Sequence, residues 1–244
     1  MDLLNTKKII DLYIKYKNEL QEVGDAIRSF LDENNEKGFT AQCSDIECEM
    51  TYMFLRELNP NNVVEFSPCQ GYSSIWILHA LNKNNNGYLF SFDLIDDSSK
   101  FIPSYLGARR IFFKGDVKLN ISKFPKSIDY VFIDSDHGGE FCDWYIKNIF
   151  PLIRSGIYIS VHDVVRRKTK NGNILFGEGR RMLSWFKENN VKYFSVGLKN
   201  DIGDLDMIDP HAREIIDIYR KTNLKTVNVY GKIQRNSAVF FRMN

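Results

Sequence analysis

Five residues of the types that do proton or metal chemistry fall where two apolar segments end. Asp134, Asp136 and His137 close the run IDYVFIDSDH, and His162 and Asp163 close YISVHD. If these segments are neighbouring parallel strands, about 4.8 Å apart, their terminal side chains can converge in one small pocket. Two uses are then open. Asp134, Asp136 and Asp163 can bind Mg2+ or another divalent cation, which would hold two substrate oxygens and lower the pKa of a bound hydroxyl. Alternatively His137 or His162 acts as a metal-free general base, worth roughly 10²- to 10⁴-fold in rate, with Asp134 beside it. Repulsion among three gathered carboxylates favours the cation, while histidine is an unusual ligand for Mg2+. The plain alternative is that Asp134 only stabilises a strand end and the histidines bond to backbone.

A second constellation lies upstream. Residues 63–74 read VVEFSPCQGYSS, a short apolar strand with an acidic residue near its end, then a turn of small residues, a glycine and a helix start. The first-turn amides of a helix lack intrahelical partners and point at whatever binds there. This puts Glu65, Ser67, Gly71, Tyr72 and Ser73 around a candidate binding crevice. Asp93, closing YLFSFD about twenty residues past that glycine, can accept both hydroxyls of a ribose. A capping aspartate is the competing explanation, with Asp96 and Asp97 close by.

Elements that would position these residues follow from periodicity. Apolar residues at near-helical spacing from Ile9 to Leu31 predict one long amphipathic helix or two. Ser44-Asp-Ile-Glu47 has the capping-box pattern and starts another helix through Leu58. Strands are then expected at 63–66, 88–93, 110–114, 129–133, 157–161 and 191–196, and helices at 72–82, 139–150 and 179–188. A helix from Asp209-Pro210 to about Thr222 and a closing strand at 237–243 complete the chain. Such alternation predicts an α/β fold with a doubly wound, mostly parallel seven-stranded Rossmann-like sheet. Residues 1–58 are expected to form an amino-terminal helical extension and residues 59–244 the sheet domain. The basic loop from Arg166 to Gly177 is placed to act as a lid, with glycines on both sides of Glu178 as hinges. His79 and His211 fall on helices away from the strand ends.

Taken together, Glu65 with Gly71, Asp93 in YLFSFD, Asp116 in FFKGDV, IDYVFIDSDH and YISVHDV resemble the successive motifs of class I S-adenosylmethionine-dependent methyltransferases. The nearest likeness is to the small-molecule O-methyltransferase branch with Asp-x-Asp-His and His-Asp at successive strand ends. It covers about Ser44 to Ser195 and the closing strand. The resemblance implies S-adenosylmethionine as cofactor, held by Glu65, Ser67, Gly71, Tyr72, Ser73, Asp93, Asp116 and Asp134, with Asp116 at the adenine. It also implies methyl transfer to a hydroxyl of a small molecule, such as a sugar or glycosylated metabolite, with Asp134, His137 and His162 as catalytic residues. A closing strand antiparallel between two parallel ones belongs to the same pattern. The usual glycine-rich turn is here Ser67-Pro68-Cys69-Gln70-Gly71, with one glycine left. A metal-dependent hydroxylase-like enzyme on this scaffold, or a non-catalytic nucleoside-binding protein, are the alternatives. A nicotinamide dehydrogenase is disfavoured, because Gly-x-Gly-x-x-Gly is absent.

Composition sets outer bounds. In 244 residues, 33 basic against 31 acidic side chains give a net charge of +2, without the basic surplus of a nucleic-acid-binding domain. No run approaches the roughly 20 apolar residues of a membrane helix, and the first residues lack a signal-peptide pattern. Cys43, Cys48, Cys69 and Cys142 form no Cys-x-x-Cys pair and read as reduced thiols. The expectation is a soluble, cytoplasmic protein with a small-molecule substrate and neither nucleic acid nor membrane as partner. The apolar face of the leading helix offers a surface for a second copy.

Overall fold

The computed structural model describes residues 2–164, 168–169, 172–173, 177–195 and 238–244. Strands β1 (Asn62–Phe66), β2 (Tyr88–Asp93), β3 (Arg110–Lys114), β4 (Tyr130–Ile133), β5 (Tyr158–Val161), β8 (Tyr193–Phe194) and β9 (Val239–Arg242) form one seven-stranded sheet in the order β3-β2-β1-β4-β5-β9-β8. β1 to β5 run parallel. β9 is antiparallel to both β5 and β8, so it lies reversed between two strands of the common direction. Two-residue strands β6 (Lys168–Thr169) and β7 (Gly172–Asn173) pair apart from the sheet, within the basic loop expected to act as a lid.

Strand residues alternate between two cores. Val63, Leu89, Tyr130, Phe132, Tyr158 and Phe240 face helices α1 (Thr6–Asn34), α2 (Asp45–Leu58) and α3 (Tyr72–Asn84). Val64, Phe92, Val131, Ile133, Ile159 and Phe241 face α5 (Gly139–Asn148) and α6 (Gly177–Glu188). This period of two is what a sheet covered on both faces demands. A single turn, α4 (Ser104–Gly107), sits before β3.

The leading segment is one 29-residue helix rather than two. Its apolar stripe, from Ile9 through Leu20 to Ile27, is buried in the same core as α2 and the sheet. The face expected to receive a second copy is therefore covered within the chain. Tyr13 donates to Glu49 at 3.0 Å, and Arg56 on α2 pairs with Glu19 at 2.7 Å, registering the two helices. Ser44 caps α2, its Oγ accepting from Glu47 N. Among the described residues, no helix is long and apolar enough to cross a membrane.

Strand order reverses at β1 and β4, and open α/β sheets bind ligands beyond the carboxyl ends at that point. Backbone bonds continue past the strands there. Ser67 N donates to Phe92 O and Gly115 N to Asp93 O, both at 2.8 Å, and His162 N donates to Ile133 O at 2.8 Å. These bonds fix Ser67, Asp93, Asp116, Asp134 and His162 along one edge. The helix expected from Asp209 and the tail residue Ser237 lie outside the described residues, as does His211.

His79 on α3 is mostly buried, and burial pushes its imidazole down to about 4. An unfolded histidine titrates near 6.5. The unfolded chain thus binds the extra proton between these values, and stability present above pH 6.5 is lost as pH falls toward 4. Chemical denaturation at pH 7 and pH 4 should show this as a loss of on the order of 2 kcal/mol that His79→Gln removes; an identical pH slope in the variant refutes the assignment.

Candidate functional site

Glu65 is fully buried, and its carboxylate accepts from Ser73 Oγ (2.7 Å), Ser74 Oγ (2.6 Å) and Ser91 Oγ (2.8 Å). Burial raises its pKa, with the three hydroxyls and the Arg110 charge opposing. One carboxylate therefore ties β1 to the first turn of α3 and to β2. Ser73 spends its hydroxyl on this bond, and Tyr72 packs in the core at 2% exposure. Glu65, Tyr72 and Ser73, expected at the ligand, instead build the wall behind it. Gly71 does the same: a Cβ there would stand 3.1 Å from Ser98 Cβ and 3.2 Å from Ile102.

The turn with one glycine keeps a glycine-like path. Ser67 and Cys69 have φ of 56° and 51°, and Gly71 of 94°. Non-glycine residues pay about 1–2 kcal/mol for the left-handed region, so packing must hold them there. Cys69 N donates to Asp93 Oδ2 at 3.0 Å. Gln70 accepts from Thr40 N and Thr40 Oγ1 at 2.7 and 2.9 Å and donates to Gly38 O at 3.0 Å, pinning the turn to the segment before α2.

In front of this wall two cavities of about 210 and 400 Å3 meet at Ser67, Asp93, Leu94 and Ser135. The smaller one is also lined by Gly115, Asp116, Val117, Asp136 and Phe141, and the larger by Gln42, Cys69, Ile95, Asp97, Asp134 and His137. Together they have the size of a nucleoside-bearing ligand pocket. Asp93 stands at the junction with one oxygen committed to Cys69. Asp116 spends one oxygen on Lys118 N (2.8 Å). Ser135, in both linings, buries a hydroxyl with no hydrogen-bond partner among the described residues. An unpartnered buried hydroxyl beside free carboxylate oxygens suits a ligand rich in hydroxyl and amino groups, and the ribose and adenine of S-adenosylmethionine fit that donor set.

At the rim, His137 Nδ1 lies 2.9 Å from Glu178 Oε2, while Glu178 Oε1 accepts from Tyr145 OH at 3.0 Å and Glu178 N donates to His137 O at 2.9 Å. Glu178 is fully buried in the first turn of α6. His137 Nε2 is turned toward Asp163 Oδ2 (3.6 Å) and Asp134 Oδ1 (3.9 Å). His162, only 7% exposed, places Nδ1 2.8 Å from both oxygens of buried Glu47, and its Nε2 3.3 Å from Asp163 Oδ1. Burial opposes its charge, but Glu47 and Asp134 outweigh that and hold the imidazole well above the usual histidine range. Burial also raises the Asp134 carboxyl, against the pull of both histidines. Asp163 has φ of 56°, a strained backbone of the kind that clusters at functional sites.

The expected rim thus assembles in part. Asp134, His137, His162 and Asp163 meet. Asp136 turns away, its Oδ1 accepting from Gly138 N at 2.8 Å, and lines the smaller cavity. Among the described residues, Asp134, Asp136 and Asp163 do not gather as a three-carboxylate cage, so this ligand set does not fit Mg2+. The segment expected as a lid lies outside the described residues for the most part. Glu47, Glu178, Ser135, Cys43 and Gln42 went unassigned from sequence. Glu178 was legible only as an acid between glycines, and it opens a helix rather than flexing as a hinge.

The model of a family described as a methyltransferase domain matches residues 64–164. Comparison with curated proteins finds no match. Among solved structures, a methyltransferase from Geobacter sulfurreducens is similar with a TM-score of 0.54 at 14% identity, over 90% of this chain and 89% of that one. The SAH-bound methyltransferase PaMTH1 of Podospora anserina aligns over 80% and 93%, with a TM-score of 0.52 and 13% identity. An O-methyltransferase from Bacillus cereus in complex with SAH aligns over 88% and 89%, at 0.50 and 17%. At these identities the likeness establishes the fold, a Rossmann-like methyltransferase fold.

Because the left-handed φ of Cys69 favours glycine, Cys69→Gly should leave stability unchanged or raise it by up to about 1 kcal/mol. Urea denaturation measures this, and Cys69→Val should lose at least as much. Marked destabilisation by glycine would mean the thiol packs where the structure leaves it exposed.

Proposed function

We propose that this protein transfers a methyl group from S-adenosylmethionine to a hydroxyl of a small polar molecule, with His137 as the general base. The observation that carries the reading is the chain Tyr145–Glu178–His137, in which Glu178 orients an imidazole that lines the larger cavity. The methyltransferase-domain match over residues 64–164 and the fold support the cofactor. Asp93 would hold the ribose hydroxyls, Asp116 and Ser135 the adenine side, and Ser67, Cys69 and Asp134 the methionine side. When bound, S-adenosylmethionine supplies an activated methyl carbon on a sulfonium.

The remaining work falls to side chains. A neutral hydroxyl is a poor nucleophile, so His137 Nε2 takes its proton as the new carbon–oxygen bond forms and the carbon–sulfur bond breaks. Glu178, fixed by Tyr145, keeps the Nδ1 proton in place and leaves Nε2 to accept, the logic of a carboxylate-oriented histidine. Asp134 and Asp163 stabilise the imidazolium that results. Alignment within the trough supplies most of the acceleration, because methyl transfer disperses charge that is already present. The larger cavity sets Gln42, Asp97 and Asp134 beside Leu94 and Ile95, and its polar groups favour a polyhydroxylated acceptor such as a sugar.

Two measurements test the reading. Calorimetric titration of S-adenosylmethionine into Asp93→Ala should show affinity weakened by about 1.5–3 kcal/mol, the value of a charge-assisted pair of hydrogen bonds. Undiminished affinity would move the ribose elsewhere. In a methyl-transfer screen with polyhydroxylated acceptors, His137→Ala should lower kcat on the order of 10²-fold. Glu178→Gln should lower it about 10-fold with KM little changed. Full activity in both variants would remove the base from the account.

A further inference from the structure

Behind the rim lies a second cluster that methyl transfer does not use. Cys43, Glu47 and His162 are 2%, 0% and 7% exposed, and one ligand atom of each lies within 4.8 Å of the others. The three come from the segment before α2, the first turn of α2 and the end of β5, and Asp134 borders them, its Oδ2 3.9 Å from Cys43 Sγ.

We propose that Cys43, Glu47 and His162 form a buried site for zinc, to which Asp134 moves in as the fourth ligand when the ion binds. Ligand bonds of about 2.0–2.3 Å require donor separations of roughly 3.3–3.8 Å in a tetrahedron. The ligand atoms of Cys43, Glu47 and His162 all lie within 4.8 Å of one another, with His162 Nδ1 2.8 Å from Glu47, so the three donors already surround one point and must adjust to admit the ion. Chemistry selects the metal: a thiol with an imidazole and two carboxylates suits a borderline-soft cation, whereas Mg2+ prefers oxygen and keeps its water. The outer shell is in place as well, since Asp163 Oδ1 lies 3.3 Å from His162 Nε2 and can fix the ring with Nδ1 toward the ion. The centre is structural. It would join α2 to two strand ends and hold Asp134 so that Oδ1 remains toward His137.

The test uses the full chain produced with zinc in the medium and desalted without chelator. Elemental analysis should find about one zinc per chain, and X-ray absorption should find one sulfur at about 2.3 Å among nitrogen and oxygen ligands. Cys43→Ser and His162→Asn should each weaken zinc binding about ten- to hundredfold in competition with a chromophoric chelator, and Cys69→Ser and Cys142→Ser should not. Substoichiometric zinc in the intact chain after titration overturns the proposal, as does a shell with no sulfur or several, or wild-type affinity in folded Cys43→Ser. The absorption measurement needs no variant, and neither readout depends on methyl transfer.

Discussion

A carboxylate can be buried only if donors surround it, because an unpaired buried charge costs several kcal/mol. Among the described residues, Glu47, Glu65 and Glu178 are fully buried, and each meets that requirement by joining a helix to a strand end on the same edge of the sheet. Glu65 on β1 takes hydroxyls from α3 and β2. Glu47 on α2 takes His162 after β5, and Glu178 on α6 takes His137 after β4 together with Tyr145 on α5. The residues at the edge hold their places because the groups behind them have no alternative partners.

From this constraint the division of labour follows. Fully buried acidic groups form the wall, and Asp93 and Asp134 line the space in front. Apart from Asn59, Asn85 and Asn190, of which the first two end helices, non-glycine residues with left-handed backbone fall at the same edge among the described residues. Ser67, Cys69 and Asp163 all sit in the left-handed region, and the bond from Cys69 N to Asp93 is one of the contacts that keeps the turn there. Both imidazoles are oriented by buried glutamates, yet they differ in exposure: His162 is enclosed at 7%, whereas His137 lines the larger cavity.

Much of the fold was legible because strands and helices announce themselves by period. The strands at 88–93 and 110–114 and the start of α3 at Tyr72 need only local pattern, and Asp93 and Asp134 are strand-end residues that the same pattern locates. What was hidden depends on packing across long separations. Glu47 reads as a capping-box residue and does follow a capping serine, but its side chain goes to a histidine 115 positions away. Glu178, 41 positions from His137, looks like an acid in a flexible glycine stretch. Asp136 reads as a metal ligand from its spacing, yet a two-residue turn to Gly138 N satisfies it locally. Positive φ at Ser67 and Cys69 has no signature in residue type, since serine and cysteine rarely adopt it.

If Glu178, 2.9 Å from His137 Nδ1, holds the proton there, Nε2 is the nitrogen left as acceptor on the side of Asp134 and Asp163. Long-range proton–nitrogen correlation spectra of histidine-labelled protein, at a pH where the imidazole is neutral, read this directly, and 4 histidines keep the spectrum assignable by single substitutions. The account predicts the Nδ1–H form for His137, shifting toward the mixed forms of a free imidazole in Glu178→Gln. A neutral His137 with its proton on Nε2 would contradict it.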